Sequence, residues 1–232
     1  MKKIGFVGAY DKTDFIIYIA KILTVLGKKV LVVDSTINQK ARYVVPFINP
    51  TKMYVTSYEN IDVAIGFEDL SGIKHYIGLS EGEELEYDYI FVDTDSAKVL
   101  SNFRMEDADQ NYFVTSFDIF SLKKGLEVLA NLENPMKMTK VLFTRDMLEE
   151  EDEYLNFLSL PYKVKWAKDK IYFPFEQGDQ SAIIENQRVE KIKIKNLTEQ
   201  YTEALIVMAE EILENVSSGA IRRIIKQLEK GV

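Results

Sequence analysis

The sequence contains no cysteine, which excludes disulfide bonds and thiolate metal sites. Its one histidine, His75, argues against a histidine-based metal site and favours a structural or surface role. No segment approaches the about 18 consecutive apolar residues of a membrane-spanning helix. The apolar run at the N-terminus is broken by Asp11, Lys12 and Asp14 and is too short for a secretory signal. We therefore expect a cytoplasmic protein.

The composition is that of an acidic globular protein. Apolar residues make up 47% of the 232 residues, charged residues make up 28%, and the formal net charge is −8. This acidity argues against nucleic acid as a partner, because nucleic-acid-binding surfaces are rich in lysine and arginine. No linker-like or repeated segment divides the chain, so we predict a single domain over residues 1–216 and a basic amphipathic tail over residues 217–232.

The first 34 residues predict a strand, a turn, a helix and a second strand. The strands cover Ile4–Val7 and Val30–Val33, and the helix covers Lys12–Leu26, where apolar residues recur every three or four positions. Continuous apolar runs of this kind are typical of parallel strands covered on both faces. Further strands are predicted within Met53–Phe67, Tyr87–Asp93, Tyr112–Ser116, Lys140–Thr144 and Tyr162–Ala167. We predict an α/β fold with a mostly parallel β-sheet flanked by helices on both faces.

Three later segments are predicted to be helices, at residues 117–132, 146–158 and 197–216. Between the last two, lysines at positions 191, 193 and 195 alternate with Ile192 and Ile194. This alternation predicts an edge strand that is protected by charge.

Lys12 and Thr13 stand at the start of the first predicted helix, directly after a strand and a turn that begins with Gly8. This order is the frame of a phosphate-binding loop. In such a loop, backbone N–H groups and the lysine hold phosphate, and the hydroxyl group holds Mg²⁺.

Taken together, these features resemble the MinD/ParA family of deviant-Walker P-loop ATPases over almost the whole chain. The family loop K-G-G-x-G-K-T aligns with VGAYDKT at Val7–Thr13. The segment VLVVDST resembles the family's second strand, and YDYIFVDTDS resembles its Walker B strand. The segments TSFDIFSLKKGLEVLANL and VLFTRDM are similar to those that follow, the second of which ends near the nucleotide base in the family.

The resemblance implies a site for ATP or ADP with Mg²⁺. The nucleotide-binding positions would be Gly8, Ala9, Tyr10, Asp11, Lys12, Thr13 and Arg145. The Mg²⁺ positions would be Thr13, Asp34 and Asp93.

The loop nevertheless departs from the family pattern, and we assign no catalytic residue. Two loop glycines are replaced by Ala9 and Asp11, and the lysine that reaches across the family's dimer is replaced by Val7. The carboxylate of Asp11 would repel a triphosphate. Thr36 stands where the family has an aspartate that positions water, so general-base positioning is lost.

The leading hypothesis is a degenerate MinD/ParA-like protein that acts as a non-hydrolysing scaffold or positioning factor. The family's range suggests a secretion, pilus, conjugation or partition assembly, and a protein partner or a homodimer. Retained binding of ATP or ADP without efficient turnover is a further reading. The alternative is a weak ATPase that dimerises when ATP binds.

The C-terminal tail is basic and amphipathic. Its predicted contact residues are Ile221, Arg222, Ile224, Ile225, Lys226 and Leu228. Such a helix is typical of a membrane surface and is similar in place to the membrane-targeting tail of MinD-like proteins, which implies a peripheral location at the inner face of the membrane. Two alternatives stay open: packing onto the domain, or docking of a partner.

Overall fold

The computed structural model describes residues 1–47, 51–80, 82–144 and 149–230. Their strands form one sheet: β1 (Lys2–Val7), β2 (Val30–Asp34), β3 (Tyr54–Tyr58), β4 (Ile61–Ile65), β5 (Tyr89–Thr94), β6 (Gln110–Ser116), β7 (Met136–Thr144) and β8 (Val164–Pro174). The order across the sheet is β3-β4-β2-β5-β1-β6-β7-β8. Pairing is parallel throughout except between β3 and β4.

Helices cover both faces of this sheet, as predicted. They are α1 (Thr13–Val25), α2 (Ala41–Val44), α3 (Leu70–Tyr76), α4 (Ala97–Asn102), α5 (Ile119–Glu127), α6 (Glu149–Ser159), α7 (Gln177–Arg188), α8 (Glu199–Leu213) and α9 (Ser218–Lys230). One core layer contains α1, α7, α8 and α9. The opposite layer contains α3, α4, α5 and α6. The predicted fold class is confirmed.

The first strand–helix–strand unit follows directly from its sequence. All five residues of β2 are buried, as expected for a parallel strand between two helical layers. Helix α1 buries Phe15, Ile19 and Ile22, which recur at helical spacing, against the sheet. The helix ends before Gly27, whose φ of 78° is a left-handed conformation that terminates helices.

The predicted edge strand at residues 191–195 is wrong, because the structure has no strand there. Ile192 and Ile194 are buried in the core that contains α1 and α7. The Lys193 carbonyl accepts a hydrogen bond of 2.7 Å from the Asn186 side chain of α7 and not from a strand. The alternation of lysine and isoleucine therefore belongs to an irregular segment, and its isoleucine side packs onto helices.

A buried lysine anchors α6 to the sheet. Lys140 of β7 is 2% exposed, and its ammonium group donates to Asp152 and Asn156 of α6, each at 2.6 Å. Lys170 of β8 donates to the other Asp152 oxygen at 2.5 Å. Burial raises the pKa of Asp152, but these hydrogen bonds outweigh burial and hold the pKa below its usual value. The helix is thus attached by polar contacts as well as by Leu155.

We expect Lys140→Ala to lower the free energy of unfolding by about 3 kcal/mol, because it removes one partner of a buried ion pair. The matched control is Lys124→Ala, which removes an exposed ion pair with Glu127 and should leave stability almost unchanged. Urea unfolding of the three proteins measures the difference. Equal losses in the two variants would contradict the anchoring role.

Candidate nucleotide site at the carboxyl edge of the sheet

The candidate site lies where β1, β2 and β5 end at the same edge of the sheet. The β1–α1 loop begins at Gly8, whose φ of 140° disfavours other residues. A Cβ atom at this position would lie 2.2 Å from the Val114 carbonyl oxygen of β6. The loop therefore runs too close to the sheet for any side chain at its first position.

Lys12 points back into its own loop. Its ammonium group donates to the Gly8 carbonyl at 2.7 Å and to the Tyr10 carbonyl at 3.2 Å. It also lies 2.9 Å from Asp93 Oδ1, and the side chain is 2% exposed. The positive charge of Lys12 is therefore compensated by groups of the chain itself.

Asp11 occupies the N-terminal end of α1. Its Oδ1 accepts a hydrogen bond of 3.1 Å from the Thr13 backbone N–H, one of the groups that would otherwise bind an anion. Its Oδ2 lies 2.5 Å from the Lys40 ammonium, which also contacts Asp14 at 2.5 Å. Burial lowers the pKa of Lys40, but Asp14 and Asp11 outweigh burial and raise it. The helix end thus carries its own carboxylate and counter-ion.

Asp34 is fully engaged by the loop that follows β2. Its Oδ1 accepts from the Thr36 N–H at 3.0 Å and from the Thr36 hydroxyl at 2.6 Å. Its Oδ2 accepts from the Ala41 N–H at 2.9 Å. Binding of Mg²⁺ by Asp34 stays a prediction and would require these contacts to break.

Asp93 is the buried acid of the site. Burial raises its pKa to about 7, the Lys12 ammonium opposes this rise, and the nearby Asp34 carboxylate adds to it. The pair with Lys12 lacks hydrogen-bond alignment, and Asp93 Oδ1 accepts no hydrogen bond from the described residues. Within those residues, no three acidic or histidine side chains converge to hold a metal ion. These side chains therefore do not form a site that holds Mg²⁺ by itself, and a Mg²⁺ ion bound together with nucleotide at Thr13, Asp34 and Asp93 stays a prediction.

Two cavities flank the loop. One, of about 340 Å³, is lined by the loop together with Thr36, Lys40, Asp93 and Asp95. The other, of about 250 Å³, is lined by aromatic rings at the ends of β7 and β8, including Phe143 in β7 and Phe175 directly after β8. The structure thus brings together all the predicted positions except Arg145, which lies outside the described residues.

Sequence reasoning missed several residues of this site. Lys40, Asp14 and Phe175 carried no recognisable motif, and their roles follow from contacts between segments distant in the chain. For the aromatic lining of the second cavity, the sequence contains one signal. It is the Pro174-Phe175 pair directly after a run of strand-forming residues.

Solved structures share this architecture. The MinC:MinD cell division complex of Aquifex aeolicus matches with a TM-score of 0.58 and 16% identity, over 94% of this chain and 98% of that chain. A complex of a Cyanothece McdA variant with ATP matches with a TM-score of 0.60 and 12% identity, over 94% and 98%. A putative plasmid partition protein of Borrelia burgdorferi bound to AMPPNP matches with a TM-score of 0.56 and 13% identity, over 93% and 100%.

This is the MinD/ParA-type P-loop NTPase fold. The match covers nearly the full length of both chains, so the MinD/ParA-type fold includes the sheet, both helical layers and the loop at Gly8. Identities of this size establish the fold alone. No protein-family model matches this sequence, and no curated protein matches it either.

The tail of the chain forms α9 and packs onto α1 and α8. Ile221 and Ile225 are buried, whereas Ile224 and Leu228 are half-buried. Arg222 forms two hydrogen bonds with the Glu203 carboxylate of α8, at 2.8 and 2.5 Å. None of the described helices is long and apolar enough to cross a membrane.

We expect the stability of the chain to fall between about pH 4 and pH 7 because of Asp93. In that window the folded carboxyl binds a proton that the unfolded carboxyl has released, so rising pH favours unfolding by up to about 1.4 kcal/mol per pH unit. Asp93→Asn removes this titration and should flatten the profile. Urea unfolding between pH 4 and pH 8 measures it.

The matched control is Asp169→Asn, an exposed carboxylate on β8, which should keep the wild-type slope. Parallel profiles for wild type and Asp93→Asn would show that the buried carboxyl does not favour its protonated form.

Proposed function

We propose that this chain is a non-hydrolysing scaffold or positioning factor with a MinD/ParA-type fold, whose phosphate loop is closed by its own side chains. The observation that carries the proposal is that two side chains of the loop, Lys12 and Asp11, bind groups of the chain itself. Lys12 binds loop carbonyls and Asp93, and Asp11 binds the Thr13 amide. The two groups that would bind phosphate are therefore already satisfied.

Electrostatics oppose a triphosphate at this position. The Asp11 carboxylate would repel a phosphate group placed beside it, and its partner Lys40 would offset part of this repulsion. Entry of the phosphate would also require Lys12 to leave Asp93, which would leave a buried carboxylate without its counter-ion. Both effects lower affinity for nucleotide.

Thr36 stands at the position where MinD/ParA-like proteins have a water-positioning aspartate. Thr36 carries no carboxylate, and its hydroxyl group donates to Asp34 while it accepts from the Gln39 N–H at 3.0 Å. A hydroxyl that is engaged on both sides is not available to position a nucleophile. This supports a protein that does not turn over ATP.

A protein partner or a second copy is supported by the surface around the site. Tyr43, Ile37 and Phe120 are 80%, 72% and 68% exposed, and they lie in loops and helix starts at the carboxyl edge of the sheet. Large exposed apolar side chains in one region mark interaction surfaces. The MinD structure solved with MinC shows that this fold supports a complex with a partner.

We expect calorimetry to detect no binding of Mg-ATP by the wild-type chain up to millimolar concentration. Asp11→Gly restores the loop glycine and removes the repulsion, so it should raise the affinity by at least about tenfold. The double variant Asp11→Gly with Lys12→Ala should lose the gain, because it lacks the cation.

The alternative is a nucleotide-switched ATPase that dimerises on ATP. It is favoured by the retained Gly8, Lys12 and Thr13 and by the two adjoining cavities. Micromolar binding of Mg-ATP by the wild-type chain that Lys12→Ala abolishes would establish this alternative and overturn the closed-loop proposal.

For the tail, we propose a structural role in the domain in preference to membrane attachment. Attachment through this face would withdraw Ile221 and Ile225 from the domain and leave the apolar side chains of α1 and α8 beneath them uncovered. We therefore expect the wild-type chain to stay in the supernatant when it is sedimented with anionic vesicles. Pelleting of wild type that Ile224→Glu abolishes would establish the membrane role instead.

A further inference from the structure

Helix α6 carries large apolar side chains on both its inward and its outward face. Inward lie Leu155, Asp152, which binds Lys140, and Ser159, which accepts a hydrogen bond of 2.9 Å from the Trp166 indole. Its outward face carries Tyr154 and Phe157, which are 41% and 66% exposed. Polar contacts hold this helix on the sheet, and large apolar side chains point outward.

The outward apolar side chains form one stripe. Tyr154 and Phe157 are three residues apart and therefore neighbours on the helix, and Leu160, in the turn directly after the helix, is 76% exposed. We call these residues, together with the exposed Glu150 and Glu153 on the same side, the α6 stripe. Among the described residues, neither glutamate forms an ion pair.

Helix α9 presents the complementary chemistry. Arg223, Lys226 and Lys230 are exposed at positions i, i+3 and i+7, and none forms an ion pair with a described residue. The half-buried Ile224 and Leu228 border these cations. We call these five residues the α9 stripe. It stays exposed while Ile221 and Ile225 hold the helix on the domain.

The two stripes lie on opposite sides of the molecule. Helix α6 belongs to the core layer of α5, and α9 belongs to the layer of α1 and α8. The sheet separates them, so the acidic stripe of one chain cannot reach the basic stripe of the same chain. A second copy can supply it.

We propose that the α9 stripe of one copy docks onto the α6 stripe of the next copy, in a head-to-tail contact. The contact covers three large exposed apolar side chains and pairs glutamates with lysine and arginine, in a chain whose net charge of −8 otherwise opposes self-association. A two-fold contact of α6 with α6 would bring like charges together. A head-to-tail contact uses two different surfaces, so it extends to rings or filaments.

This proposal adds to the scaffold role a means by which the chain builds an assembly, and it rests on surfaces separate from the phosphate loop. Binding of Mg-ATP in the calorimetric experiment would leave it standing. A chain that stays monomeric would overturn it and leave the closed-loop proposal standing.

The experiment is sedimentation velocity of the full chain without nucleotide, at low salt, from micromolar to submillimolar concentration. Wild type should grow in mean mass with concentration and lose this growth at high salt. Phe157→Glu breaks the α6 stripe, and the double variant Arg223→Glu with Lys226→Glu breaks the α9 stripe. Each should weaken association at least tenfold.

The deciding sample is a mixture of the two variants. Each retains the surface that the other lacks, so the mixture should form a one-to-one pair and stop there, although neither variant associates alone. The control with equal net charge, Lys193→Glu with Lys195→Glu, should assemble as wild type does. Both pairs of lysine or arginine residues are exposed, and circular dichroism checks that every variant is folded.

Three outcomes would overturn the proposal. The first is a monomeric wild-type chain at every concentration. The second is association that either variant leaves intact. The third is loss of association in both variants without recovery of a pair on mixing, which would indicate a symmetric contact or one that involves another surface.

Discussion

The buried ion pair between Lys12 and Asp93 ties the loop to the centre of the sheet. Lys12 precedes α1, and Asp93 lies near the end of β5, which pairs with both β1 and β2. Above about pH 7, where the Asp93 carboxyl is ionised, loss of Lys12 would leave a buried carboxylate without its counter-ion, which is costly. The same lysine closes the loop through the Gly8 and Tyr10 carbonyls. One side chain therefore sets the conformation of the whole site.

The neighbouring polar groups are also paired with groups of the same chain. Asp11 satisfies the Thr13 amide, Lys40 neutralises Asp11, and Asp34 organises the loop after β2 through Thr36. In each case a polar group at the carboxyl edge of the sheet is paired within the chain. Charge pairs and hydrogen bonds within the chain thus hold the geometry of the loop without a ligand.

The surfaces of the helical layers carry the other distinctive chemistry. Lys140 draws the polar side of α6 inward, and this leaves Phe157 and its neighbours in solvent. Helix α9 does the reverse, with isoleucines inward and cations outward. The two helices therefore present unlike surfaces, one with exposed aromatic and acidic side chains and one with exposed cations.

The sequence by itself determined the fold class and the β1–α1–β2 unit, because helical periodicity and continuous apolar runs are local signals. It also located Gly8, Lys12, Asp34 and Asp93, since spacing along the chain places them at strand ends. The pairing of Lys40 with Asp11 joins residues 29 positions apart, and no local pattern encodes such a contact.

Only the tertiary structure decided which partner covers the apolar face of each amphipathic segment. The alternation at Ile192 and Ile194 is satisfied by packing on helices and not by a sheet, and the apolar side of α9 is covered by α1 and α8. A sequence shows that a segment has two unlike faces. Which face is buried depends on what the rest of the chain presents to it, because the hydrophobic effect has no direction of its own.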